Sequence, residues 1–167
     1  MKTIKTDVYT FDELDDKAKE KARDWYRQDN DMPFLWGHLM NLTKEALEEA
    51  GFKVGEMGQK FDVHYSLSHC QGDGLSFTGD LYRDGKHYRA VQHGSLYVHE
   101  NTMSVYEITE YGNEIDASEV EEECREIAKK MRDAGYDAID YENSAENIDQ
   151  AMEANEYTFT KDGKRFG

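Results

Sequence analysis

The sequence predicts an α+β fold, in which an antiparallel β-meander sheet packs against N-terminal and C-terminal helices, within a single domain covering residues 1–167. Two changes of periodicity carry this reading. Apolar residues recur every three or four positions near both ends of the chain, and every second position from Phe61 onward. The order is helices, then strands, then helices, without the strand–helix–strand alternation of a parallel sheet. A length of 167 residues suits one hydrophobic core.

Phe11, Leu14, Ala18, Ala22, Trp25 and Tyr26 share one stripe, which predicts a helix over about residues 11–28. Thr10 is its cap: the hydroxyl accepts an early backbone N–H while Glu13, three residues on, reaches back to Thr10. Pro33 suits the first turn of a second helix. Its apolar face runs through Leu35, Leu39, Leu42, Ala46 and Leu47 to a stop at Gly51.

Phe61, Val63, Tyr65, Leu67 and His69 alternate with Asp62, His64, Ser66, Ser68 and Cys70, the pattern of a strand. A second strand puts Leu75, Phe77, Gly79 and Leu81 on one face. Asp84-Gly85 then signals a two-residue hairpin turn into a strand from Lys86 to Gln92. Short strands are expected around Leu96 to Val98 and Met103 to Ile108, and the helices near 11–28 and 33–50 are expected to cover the sheet. Helix returns near Ser118, where Val120, Cys124, Ile127, Ala128 and Met131 form a stripe ending before Gly135. A last helix starts at Ser144 and carries Ile148, Ala151 and Met152. The tail from Tyr157 to Phe166 alternates around Asp162-Gly163 and reads as an edge strand.

Twenty Lys and Arg against 36 Asp and Glu leave a net charge of −16, a field that repels phosphate backbones and anionic lipid surfaces. Direct binding to nucleic acid or membrane is therefore not expected. No apolar run approaches the roughly 18 residues of a membrane span, and the opening Met1-Lys-Thr-Ile-Lys5 lacks a secretory apolar stretch, which points to a cytoplasmic protein. In that reducing compartment Cys70 and Cys124 are expected as free thiols.

Three segments bear a resemblance. They are Tyr9-Thr-Phe-Asp-Glu-Leu14 followed by Ala18-Lys-Glu-Lys-Ala-Arg-Asp-Trp-Tyr26; Tyr65-Ser-Leu-Ser-His-Cys-Gln-Gly-Asp-Gly-Leu-Ser-Phe-Thr-Gly79; and Ala154-Asn-Glu-Tyr-Thr-Phe-Thr-Lys-Asp-Gly-Lys-Arg-Phe166. Together they resemble small acidic phage-encoded proteins, some of which carry an antitoxin-like label. The resemblance implies a phage or prophage setting, hence the cytoplasm of an infected bacterial host. It supplies no catalytic residues.

Asp73, between Gly72 and Gly74, is a candidate binding residue on an exposed loop, although turn chemistry favours reading the Gln71-Gly-Asp-Gly74 run as a tight connection with positive φ at one or both glycines. A lone Gly-Asp-Gly is too short for a calcium or phosphate loop. Five of the six histidines, His64, His69, His87, His93 and His99, cluster near Cys70, and three such donors plus water would make a zinc site. Strand parity opposes it, because His64 and Cys70 would share one face and His69 the other. No metal or cofactor is assigned, and no catalytic residue; a hydrolase using the His-rich sheet is the alternative from the enzyme class.

Charge asymmetry is the strongest global signal. Between Glu110 and Glu156 stand sixteen acidic residues and four basic ones. Glu119, Glu122, Glu123 and Glu126 share a broad helical face, and Asp133, Asp137, Asp140 and Glu142 extend the row. Such a face commonly serves solubility alone. It also suits imitation of nucleic-acid phosphates. The expected function is accordingly a binding protein that inhibits a host nucleic-acid-processing defence complex, of CRISPR or restriction type, through a partner with a basic surface. Neutralisation of a toxin is the alternative among binding roles.

Overall fold

The strands are β1 (Tyr9–Thr10), β2 (Lys53–Val54), β3 (Phe61–Ser66), β4 (Gly74–Arg83), β5 (Lys86–Gln92), β6 (Met103–Ile108), β7 (Glu114–Asp116) and β8 (Thr158–Phe159). The helices are α1 (Asp16–Asp29), α2 (Leu35–Glu49), α3 (Ser118–Glu142) and α4 (Ala145–Ala154). They come from a computed structural model that describes residues 1–55, 58–94 and 97–167. The fold is α+β with an antiparallel sheet. None of the described helices is long and apolar enough to cross a membrane. The chain divides into two compact units, Met1–Met32 with Ala138–Gly167, and Pro33–Asp137.

In the first unit β1 pairs antiparallel with β8, and α1 and α4 close over a core of Phe11, Leu14, Ala18, Ala22, Ile148, Met152 and Phe159. The apolar stripe of α1 contributes Ala18 and Ala22 to this core, with Trp25 and Tyr26 packed against it. The Thr10–Glu13 cap is present, with the Thr10 amide donating to Glu13 at 2.8 Å, but it closes only a 3-10 turn over Phe11–Glu13. Leu14 is extended, with ψ at 148°, and ends that turn. Asp15 then caps α1 by accepting from the Ala18 amide at 2.7 Å. Ser144 caps α4 in the same way through the Asn147 amide at 3.3 Å. The tail turns back at Gly163, where a β-carbon would stand 2.2 Å from the Ala18 carbonyl oxygen and φ is +90°.

The second unit holds the sheet, in the order β2-β4-β5-β6-β7, with β3 also paired to β4. Asp84 and Gly85 adopt φ of +54° and +76°, the left-handed pair that a tight β4–β5 hairpin needs. Gly79 lies opposite Phe61 on β3 and Ala90 on β5, with the Lys60 carbonyl oxygen 2.3 Å from where its β-carbon would be. Only glycine admits that approach. β2 and β7, two and three residues long, carry no sequence signal and exist through pairing with β4 and β6. The strand expected around residues 96–98 falls partly on Leu96, which lies outside the described residues, and Tyr97 and Val98 form no strand.

α2 buries Leu35, Leu39, Met40, Thr43 and Leu47. It ends as expected at Gly51, where the Gly51 and Phe52 amides return to the Glu48 and Leu47 carbonyls, both at 2.9 Å, and φ is +93°. α3 does not stop at Gly135. It runs through that residue to Glu142, because Gly135 lets Leu67 approach to 2.5 Å from the missing β-carbon. Packing there outweighs the roughly 1 kcal/mol by which glycine disfavours a helix.

Candidate interaction surface on the acidic helix

Successive residues of a helix are turned by about 100°, so the buried Cys124, Ala128 and Gly135 mark the inner side of α3. Glu119, Glu122, Glu126, Asp133 and Asp137 fall on the opposite side and are all exposed. At ~1.5 Å rise per residue they cover about 27 Å of helix. Asp133 meets its neighbour Arg132 at 3.1 Å, whereas Glu119, Glu122, Glu126 and Asp137 have no ion-pair partner among the described residues. The exposed Lys129 and Lys130 interrupt the row between Glu126 and Asp133.

The flanks of α3 anchor the helix to the sheet. Glu121 accepts the Val105 amide at 3.0 Å, and Arg125 donates to the Met103 carbonyl from Nε and an Nη at 3.1 and 3.0 Å. Glu123, expected in the exposed row, is half-buried and held by Arg83 through two 2.8 Å hydrogen bonds. In the first unit Asp140 is exposed, and Glu142 is half-buried and accepts Asn30 and Asn147 at 3.4 and 3.5 Å. The open row is therefore narrower than the eight residues expected.

The basic side chains tell a complementary story. Among the described residues, six of the seven arginines pair with Asp or Glu: Arg23, Arg27, Arg83, Arg89, Arg125 and Arg132. Guanidinium is the group best shaped for a phosphate, and here it is turned on the chain's own carboxylates.

Asp73 is an organising residue of its loop. It accepts the amides of Ser68 and Cys70 at 2.7 and 3.0 Å, the hydroxyls of Ser68 and Ser66 at 3.1 and 3.3 Å, and the hydroxyl of Tyr136. Tyr136 above all, helped by the two amides, holds its carboxyl far below the usual carboxylate range. Burial and the facing carboxylate push the Tyr136 hydroxyl upward. Five donors leave this carboxylate little capacity for a ligand. Tyr136 stands 63 residues away, and no local pattern announces it.

The histidines do not converge. β3 ends at Ser66, so His69 and Cys70 sit in a loop, with φ of +58° at His69, and the face parity expected for them does not apply. His64 bonds Thr78 at 3.0 Å, His87 bonds Asp80 at 2.7 Å, and His93 bonds Ser104 at 2.8 Å. His99 accepts the Asn101 amide at 3.0 Å, and His69 packs on the Tyr136 ring at 4.6 Å. Among the described residues no three His, Cys, Asp or Glu side chains are grouped to hold a metal. Both cysteines are free; Cys70 is exposed, and burial pushes the Cys124 thiol up to about 12.

No protein-family model, curated protein or solved structure matches the chain.

Proposed function

We propose that this chain is a phage-type acidic binding protein that inhibits a host nucleic-acid-processing defence complex, of CRISPR or restriction type, by presenting α3 to a basic groove in place of nucleic acid. The observation that carries the reading is the exposed row Glu119, Glu122, Glu126 and Asp137, unpaired among the described residues, on a helix whose other side is anchored to the sheet. A rigid row of carboxylates displaces counterions from a basic groove much as phosphates do, and long-range attraction raises the association rate. The formal charge of −16 supplies that attraction and disfavours direct contact with nucleic acid.

Association rates with purified CRISPR and restriction effector complexes test it, for wild type and for a Glu119→Lys/Glu122→Lys/Glu126→Lys variant. Glu123 is left intact because it anchors Arg83. The triple variant is expected to associate at least tenfold more slowly at low salt, with the gap closing as the Debye length falls from about 10 Å at 0.1 M to about 3 Å at 1 M. Excess DNA should compete with wild type for the same complex. Equal rates at low salt, in variants shown by circular dichroism to be folded, would remove the mimicry.

A further inference from the structure

Within the first unit, Trp25, Tyr26 and Tyr157 line a cavity of about 280 Å³ together with Asp29 and Asn30. The Trp25 ring stands at 88° to Tyr157, with centroids 5.6 Å apart, and at 70° to Tyr26, with centroids 6.5 Å apart. Trp25 thus stands steeply inclined to both tyrosine rings, and the lining of this three-ring box also includes the exposed carboxylate of Asp29. Glu142 adds to the field: burial first, then the charge of Glu142, raises the Tyr26 hydroxyl above its ordinary value. A purely apolar filling needs no carboxylate here, whereas the negative faces of aromatic rings combined with carboxylates suit an organic cation.

We infer that this box is a binding site for an organic ammonium headgroup, with trimethylammonium as the best-fitting class. The rings already accept one cation, since the Arg165 guanidinium lies 4.7 Å from the Tyr157 centroid and 5.9 Å from that of Trp25. That guanidinium is tied to the Thr158 carbonyl at 3.0 Å and is not among the groups lining the cavity. The cavity is near the roughly 300 Å³ lower bound of small-molecule sites, so it suits a headgroup and leaves the rest of a ligand outside. A compact ammonium such as inorganic NH4⁺ holds its water strongly, while methyl groups spread the charge and let the ion shed water into the box. The inference does not depend on the function proposed above.

Choline and its neutral isostere 3,3-dimethylbutan-1-ol separate charge recognition from shape. In the full chain carrying Trp36→Phe, Trp25 is the one remaining indole and its emission reports the cavity. Choline is expected to give a saturable change, with affinity at least tenfold above the neutral alcohol, a ratio equivalent to ~1.4 kcal/mol. Asp29→Asn, at an exposed position, should weaken choline severalfold and leave the alcohol unchanged. Equal affinities would reduce the box to an apolar cleft and overturn the inference. So would the absence of saturation by choline in protein whose circular dichroism matches wild type, or an Asn variant that binds choline undiminished.

Discussion

Arg83 grips Glu123 through two 2.8 Å hydrogen bonds, while the same guanidinium donates to the Ala50 carbonyl at 3.1 Å and lies 4.1 Å from the Phe52 ring centroid. One side chain at the β4–β5 hairpin thus ties α3 to the end of α2. Glu123→Gln is expected to lower stability by about 1 kcal/mol, since a forked, partly buried pair exceeds the ordinary surface ion pair. Arg83→Lys should be at least as damaging, because a lysine cannot span both carboxylate oxygens and the Ala50 carbonyl. Urea midpoints for the two variants check this; a neutral Glu123→Gln would reassign Glu123 to the exposed row.

Gly79→Ala should be the most damaging single-methyl change in the sheet. The added carbon meets the Lys60 carbonyl oxygen at 2.3 Å and the Phe61 α-carbon at 3.0 Å, both backbone atoms, and φ is +136°. A flexible side chain could swing away, but these atoms are held by the β3–β4 ladder. The expected loss is ~2 kcal/mol or more, read as a fall in the urea midpoint. A loss below about 0.5 kcal/mol would show that β3 and β4 separate easily at this point.

Features set by neighbouring residues were legible in the sequence, among them the Asp84-Gly85 turn, the Gly51 stop, the helix start at Ser144 and most of the outward face of α3. Those set by distant partners were not. Gly135 reads as a helix end because glycine disfavours helices, and only Leu67, far away in sequence, explains why it sits inside one. The stripe of α1 was correctly periodic, yet its partners Ile148, Met152 and Phe159 lie at the far end of the chain. Alternation extended past Ser66 puts His69 and Cys70 on opposite faces, but the Asp73 hydrogen bonds pull the chain out of the strand there. The acidic row was visible as a pattern, but Glu123 is drawn out of it by Arg83, which arrives from β4.

The Asp73 network has a defined pH signature. Its carboxyl is held below the ordinary aspartate value near 3.9, so the stability it contributes is fully present above that value and is lost as pH falls through the lower folded-state value. Asp73→Asn should therefore melt below wild type at pH 7, because one acceptor oxygen is replaced by a donor facing the Ser68 and Cys70 amides. The gap should hold at pH 5 and narrow as the pH drops well below 3.9. Tyr136→Phe should reproduce part of the loss at pH 7. Thermal melts at pH 7, 5 and 2.5 decide it, and a gap that stays constant down to the lowest pH would place the loss outside the ionised carboxylate.

Glu122 is a carboxylate of the exposed row with no ion-pair partner among the described residues. It lies beyond the first turn of α3, so the helix dipole gives it little, whereas Glu119 sits in that turn and is favoured by it. Glu119 three residues before it and Glu126 four residues after it put like charges on both sides, while Arg125, three residues after it, is engaged by Glu121 and the Met103 carbonyl. Each such pair costs about 0.2–0.5 kcal/mol at low salt, and Glu122→Lys converts both into attractive pairs. The variant is expected to be more stable than wild type by roughly 0.5–1 kcal/mol at low ionic strength, with the gain fading at 1 M salt. Glu119→Gln should move the other way by a few tenths of a kcal/mol. Urea midpoints at two salt concentrations measure both. A stabilising Glu122→Lys that also slows association with an effector complex would mean that the acid is kept for binding at the expense of folding, as the mimicry requires. If Glu122→Lys instead destabilises the fold, the row serves the helix itself and the argument from its strain falls.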